Sequence, residues 1–266
     1  MSYGLTLDQV TTVTRPARRT TTWGALTACT ERPEYSLQRV ELAAGTAQPM
    51  HFHPDGWRRL FAERGDVLVR RLDGEGAVNA VVVREGETLA IAPFEVHGFS
   101  SREGAELYLF GPAGSGASPV LTGTVEEAQR RVAELEAPRP PNGGAPTKRL
   151  EKYWGRIETI LDSEVAGKRI LMTKGGQSSM EFHVEKRETY WVRSGLLKVG
   201  LRIGRAENHS IVLGADESYD IFPGVMHMRI ALEDTVIIEA STRDSDADSH
   251  LVEDGQVYRH VEQANR

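Results

Sequence analysis

A chain of 266 residues with 39% hydrophobic and 26% charged side chains has the make-up of a soluble globular protein of two ordinary domains or one large one. Its net charge of -6 gives no electrostatic attraction to nucleic acid or an acidic membrane, and no stretch approaches the ~18 apolar residues of a membrane span. The single cysteine, Cys29, excludes an internal disulfide, and residues 1–20 carry Arg15, Arg18 and Arg19 without an apolar run, so a cytoplasmic protein without a secretory signal is expected.

In chain order, Val67-Leu68-Val69, Ala80-Val81-Val82-Val83 and Thr235-Val236-Ile237-Ile238 are short β-branched runs bounded by Gly, Asp or Pro. Their spacing is that of an all-β barrel or sandwich. One helix is predicted between them. Thr124 and Glu127 form a capping box, and Val125, Ala128, Val132 and Leu135 make an apolar stripe up to about Glu136. Pro138, Pro140, Pro141, Gly143, Gly144 and Pro146 follow with the composition of a linker. The expected division is residues 1–122, a helix and linker over 123–148, and residues 149–266.

The two halves repeat each other. The first reads Gly45-x5-His51-x-His53-x4-Arg58-x6-Gly65, then Gly86, Pro93 and His97. The second reads Gly175-x5-Glu181-x-His183-x4-Glu188-x6-Gly195, then Asp216, Pro223 and His227. Every pair is offset by 130, as is Arg39 with Arg169. Such a register without gaps identifies two copies of one module.

The spacing G-x5-H-x-H-x4-E-x6-G, followed by a Pro-and-His segment, resembles the signature motifs of the cupin superfamily over most of both halves. The resemblance implies two tandem cupin (jelly-roll) barrels, each binding one divalent metal through two histidines, a glutamate and a final histidine. The second half is also similar to the cupin domain of type II mannose-6-phosphate isomerases, through Trp154-Gly155, Lys168-Arg169, Ser179 to His183, Glu188, Trp191, Ser194-Gly195, Ser218 and Gly224. It departs from them in having Glu181 for their usual Gln.

Alternation on a strand puts His51 and His53 on one face, and brings the last histidine from a distant strand. The metal candidates are thus His51, His53 and His97 in the first barrel, and Glu181, His183, Glu188 and His227 in the second. Fe, Mn, Zn or Ni would suit these donors. Arg58 stands in the first barrel's glutamate slot, so either three histidines hold a metal there or that site has lost it; Asp55 is an alternative oxygen ligand. Two residues along from the ligands, Tyr190 and Arg229 face into the second barrel and Leu60 and Phe99 into the first. Arg229 is expected either to grip a substrate anion or to pair with Asp220 or Glu239.

Three functions follow for a small-molecule substrate. The resemblance implies first a metal-dependent isomerase or epimerase of a sugar or sugar-phosphate, with Glu181 or Glu188 moving the proton, Tyr190 beside them, and Arg229 or Lys168 holding an anion. The second is a non-haem iron dioxygenase or oxidative lyase at His51, His53 and His97. The third is a non-catalytic ligand-binding bicupin. A homodimer is compatible with each.

Overall fold

The structure is a computed structural model that describes residues 6–54, 56–73, 75, 77–113, 118–119, 141–203 and 207–261. Asp55 and the helix read over residues 124–136 lie outside them. The chain divides into two compact units, Ala17–Thr147 and Met1–Pro16 with Lys148–Arg266. Both are all-β, each with two antiparallel sheets among the described residues. No helix there is long and apolar enough to cross a membrane.

In the first unit the larger sheet runs Ala145–Pro146, Glu87–Ile91, Arg58–Arg64, Ala105–Gly111, Ser36–Leu42, Gly24–Glu31 and Arg18–Thr21. The other runs Ser118–Pro119, His51–Phe52, His97–Ser101, Val67–Leu72 and Val78–Val83. Period-two alternation decides which side chains go inside. Val67 and Val69 join Leu60, Val83, Phe99, Leu107 and Leu109 in the core, whereas Leu68 packs with Ala47 and Val82 in a separate small cluster. Each such buried side chain contributes about 1.5–3 kcal/mol.

The second unit repeats this plan. Its larger sheet runs Val13–Thr14, Ser218–Ile221, Glu188–Ser194, Thr235–Thr242, Val165–Met172, Gly155–Asp162 and Lys148–Lys152. The other runs Glu207–Leu213, Leu197–Ile203, Met226–Ala231, Met180–Phe182 and His250–Glu253. The 130-residue offset reappears as strand register: His51 pairs with His97, and Glu181 with His227. Gly65 and Gly195 close equivalent hairpins at φ +72° and +87°. A Cβ at either would strike a carbonyl, of Gly104 and Asp234 respectively, so glycine is required.

Two segments lie elsewhere than the sequence suggests. Residues before Pro16 belong with the second unit: Val10 sits in its core, Tyr219 Oη donates to the Val10 carbonyl at 2.7 Å, and Val13 pairs with Tyr219. The end of the Pro/Gly stretch belongs to the first sheet, with Ala145 and Pro146 paired to Thr88 and Glu87. Pro146 lacks an N–H, but an edge strand needs only one bonded side, so the stretch pairs despite its linker composition.

Two candidate metal centres

In the first barrel, His51 opens the short strand His51–Phe52, His53 follows it, and His97 opens His97–Ser101. One ligand atom from each lies within 4.8 Å of the others, and all three side chains are buried. Backbone carbonyls fix two of the rings: His51 Nδ1 is 3.0 Å from the Pro49 carbonyl and His97 Nδ1 2.8 Å from that of Glu95. With Nδ1 as donor, Nε2 keeps its lone pair. His97 Nε2 is buried with no hydrogen-bond partner among the described residues.

Burial pushes the His51 imidazole below its usual pKa, and burial with His51 beside it pushes His97 down to about 3. The rings are therefore neutral near pH 7, as metal ligation demands. Phe99 packs against His51 and His97, with ring centroids 6.0 and 5.2 Å away, and belongs with Leu60 and Leu109 to the barrel's hydrophobic core. Arg58 is buried at the start of the strand Arg58–Arg64, where its Nη1 donates to the Trp57 carbonyl at 2.8 Å and its side chain lies over Gly111. These three histidines fit a divalent metal ion.

The second barrel brings Glu181, His183 and His227 together, again within 4.8 Å. Glu188 adjoins them, its Oε1 2.9 Å from His227 Nε2. Two ligands about 2.1 Å from one ion at a right angle stand about 3 Å apart, so this spacing also suits a shared metal. The residues here carry charge, and the charges meet each other. Lys186 Nζ lies 2.7 Å from Glu188, 2.8 Å from Glu239 and 2.9 Å from Asp244. Lys168 Nζ is 2.6 Å from Asp244. Tyr190 Oη donates to Glu188 Oε1 at 2.9 Å.

Arg229 reaches Tyr190 Oη at 3.1 Å and Glu181 at 3.2 Å, and stands 3.7 Å from Glu239. Asp220 instead accepts from Thr189 and Arg187.

Burial alone would raise the Glu188 pKa, but Lys186 and His227 outweigh it and hold the carboxyl well below the usual range. Glu181 is likewise lowered by Arg229 and His227 against burial. Burial would lower His227, yet Glu188 raises it above an ordinary imidazole. Lys186 is raised against burial by Glu188, Glu239 and Asp244.

The 130-residue offset makes the contrast between barrels explicit. Lys186, Glu188, Tyr190, Arg229 and Glu239 correspond to Gly56, Arg58, Leu60, Phe99 and Leu109. In one barrel these positions form a self-neutralising ion network; in the other, Arg58 apart, they are apolar or glycine. Sequence reasoning did not single out Lys186 or Asp244 and named Glu239 only as a partner for Arg229. Alternation from the core residue Ile237 puts Glu239 inside and could have found it; Lys186 and Asp244 precede and follow strands, where no period applies.

No known protein-family model matches the chain, and no curated protein matches it. Solved structures do. The formate complex of Lactobacillus farciminis oxalate decarboxylase has TM-score 0.68 at 13% identity, over 89% of this chain and 86% of that one. Two structures of Bacillus subtilis oxalate decarboxylase, a mutant and one from work on its Mn(II) centres, give 0.67 and 0.66 at 14% identity, over 89% of this chain and 77% of theirs. These enzymes are bicupins, and tandem cupin barrels are the fold of this chain. The likeness does not extend to support for the mannose-6-phosphate isomerase resemblance.

Proposed function

We propose that this chain is a metal-dependent enzyme whose reaction centre is the three-histidine cluster of the first barrel, acting on a small carboxylate in the manner of a non-haem dioxygenase or oxidative lyase. One observation carries this reading: among the described residues His51, His53 and His97 converge beside the apolar core with no carboxylate among them, whereas in the second barrel Lys186 engages Glu188 and Arg229 engages Glu181. The isomerase reading relies on Glu181 or Glu188 to take up the proton, and both carboxylates are already engaged. Glu181 is held by Arg229 and Ser249, and Glu188 by Lys186 and Tyr190.

A divalent ion bound to His51, His53 and His97 supplies Lewis acidity and, with iron or manganese, redox chemistry. The chain's own part is orientation and exclusion. The Pro49 and Glu95 carbonyls fix the rings, while Phe99 against them and the burial of all three histidines keep water away. Three neutral ligands leave the ion's charge uncompensated, and buried Arg70 behind the same sheet adds to it, being among the groups that lower the His51 pKa. An anionic substrate is therefore favoured. The similar solved structures are of oxalate decarboxylases, one with formate, which supports a small carboxylate and a lyase reaction.

The test is elemental analysis followed by turnover of a panel of small carboxylates, oxalate included, with and without oxygen. His53→Ala is expected to shed one metal equivalent and lower activity by more than the about 100-fold typical of an outer-shell change. Glu188→Gln should keep most activity. Turnover that persists without oxygen and disappears only in Glu188→Gln would place an isomerase in the second barrel instead.

A further inference from the structure

Imidazoles that bind a metal are aimed by a hydrogen bond to the nitrogen facing away from the ion. For His51, His97 and His227 that bond is local, to the carbonyl two residues earlier, of Pro49, Glu95 and Val225. His183 differs. Its Nδ1 lies 2.9 Å from the carbonyl of Asp248, 65 residues downstream.

The same short segment holds a second ligand and the turn after it. Ser249 Oγ donates to Glu181 Oε2 at 2.9 Å. The Asp248 carboxylate accepts the backbone N–H groups of Val184, Glu185 and Lys186 at 2.8–3.2 Å, closing the turn that leads from His183 to Glu188. His250–Glu253 then pairs with Met180–Phe182, and the His250 ring stacks on Phe182 at 4.9 Å. Asp248 thus governs the loop between two candidate ligands, and Ser249 touches a third.

We propose that Asp248 and Ser249 are positioning residues for the second metal centre, and that residues 246–253 act as a strap whose docking sets the affinity of that centre alone. The proposal rests on Glu181, His183 and His227 as a metal site and is independent of the reaction assigned to the first barrel.

The full-length protein carrying His51→Ala and His53→Ala, with the first centre silenced, is stripped of metal and titrated with Mn(II), the free ion being read by electron paramagnetic resonance. Adding Asp248→Ala and Ser249→Ala should weaken Mn(II) binding by about 10–100-fold. Asp248→Asn with Ser249→Thr, which keep an acceptor and a hydroxyl, should restore most of it. Should the histidine variant not fold, titration of the otherwise intact chain serves, with one site weakened and the other unchanged. A strap that only supports the fold would lower the thermal midpoint of the metal-free protein and leave Mn(II) affinity unmoved, which overturns the proposal. A parent protein whose second barrel takes up no Mn(II) overturns it as well, by removing the centre.

Discussion

Lys186 and Glu188 form a buried ion pair of 2.7 Å, and the same ammonium also contacts Glu239 and Asp244. The first barrel has Gly56 and Arg58 at the matching positions, so nothing equivalent can form there. Lys186→Met would leave three carboxylates without their shared cation. A loss of about 3–5 kcal/mol is expected, read from urea unfolding with an unchanged slope. Arg18→Ala breaks a pair of the same length, to Glu41, but the Arg18 side chain is 53% exposed and less than about 1 kcal/mol should be lost.

Acid should unfold the metal-free protein through the first barrel's histidines. His97 takes up its proton only near pH 3 when folded, but near its ordinary 6.5 when unfolded. Between these values the unfolded chain binds more protons, so stability falls as pH drops from 6.5 towards 3 and is fully present above 6.5. The contribution is on the order of a few kcal/mol. Circular dichroism against pH should show this loss, and saturating Zn(II) should move it to lower pH because the ion competes with protons for the rings.

Phe94 adopts φ +60° and is 66% exposed, although the equivalent residue of the second barrel is Gly224 at φ +80°. Both N–H groups donate to the carbonyl of a candidate ligand, His53 and His183 respectively. Left-handed backbone strains a non-glycine residue by about 1–3 kcal/mol, partly offset here by glycine's greater freedom when unfolded. Phe94→Gly is therefore expected to raise stability by up to about 1 kcal/mol, and Gly224→Ala to lower it by about 1 kcal/mol or more. Thermal midpoints of the two variants should move in opposite directions.

Removal of the first centre should not disturb the second. His97→Ala takes away one of three ligands in the first barrel while leaving Glu181, His183 and His227 untouched. Metal analysis should then show one equivalent fewer than the parent. A loss of both would mean that the two centres are filled cooperatively.

Much of this was written in the sequence because the module is repeated. One register fixed the barrels, and strand alternation set Tyr190 and Arg229 apart from Leu60 and Phe99. What escaped was non-periodic or distant. Asp248 and Ser249 lie at a short helical turn and its exit, where no pattern announces direction, and they act on residues more than sixty positions earlier. Lys186 sits in a turn, and only the fold brings Glu188 and Glu239 of two strands, with Asp244 beyond the second, around its charge. The resemblance of the second half to an isomerase domain rested on residues that mostly build the barrel, which explains why it carried the fold further than the chemistry.

The strand Val13–Thr14 borders Ser218–Ile221, and Thr14 and Ser218 are 204 residues apart. At about 5–20 residues per second, a ribosome exposes the first of these some 10–40 s before the second exists. For that interval the early strand has no sheet of its own to join, and the late barrel cannot close its edge until it captures a segment already long released. A fragment beginning after Pro16 would leave the rim of Ser218–Ile221 bare, and another copy's strand is the readiest substitute.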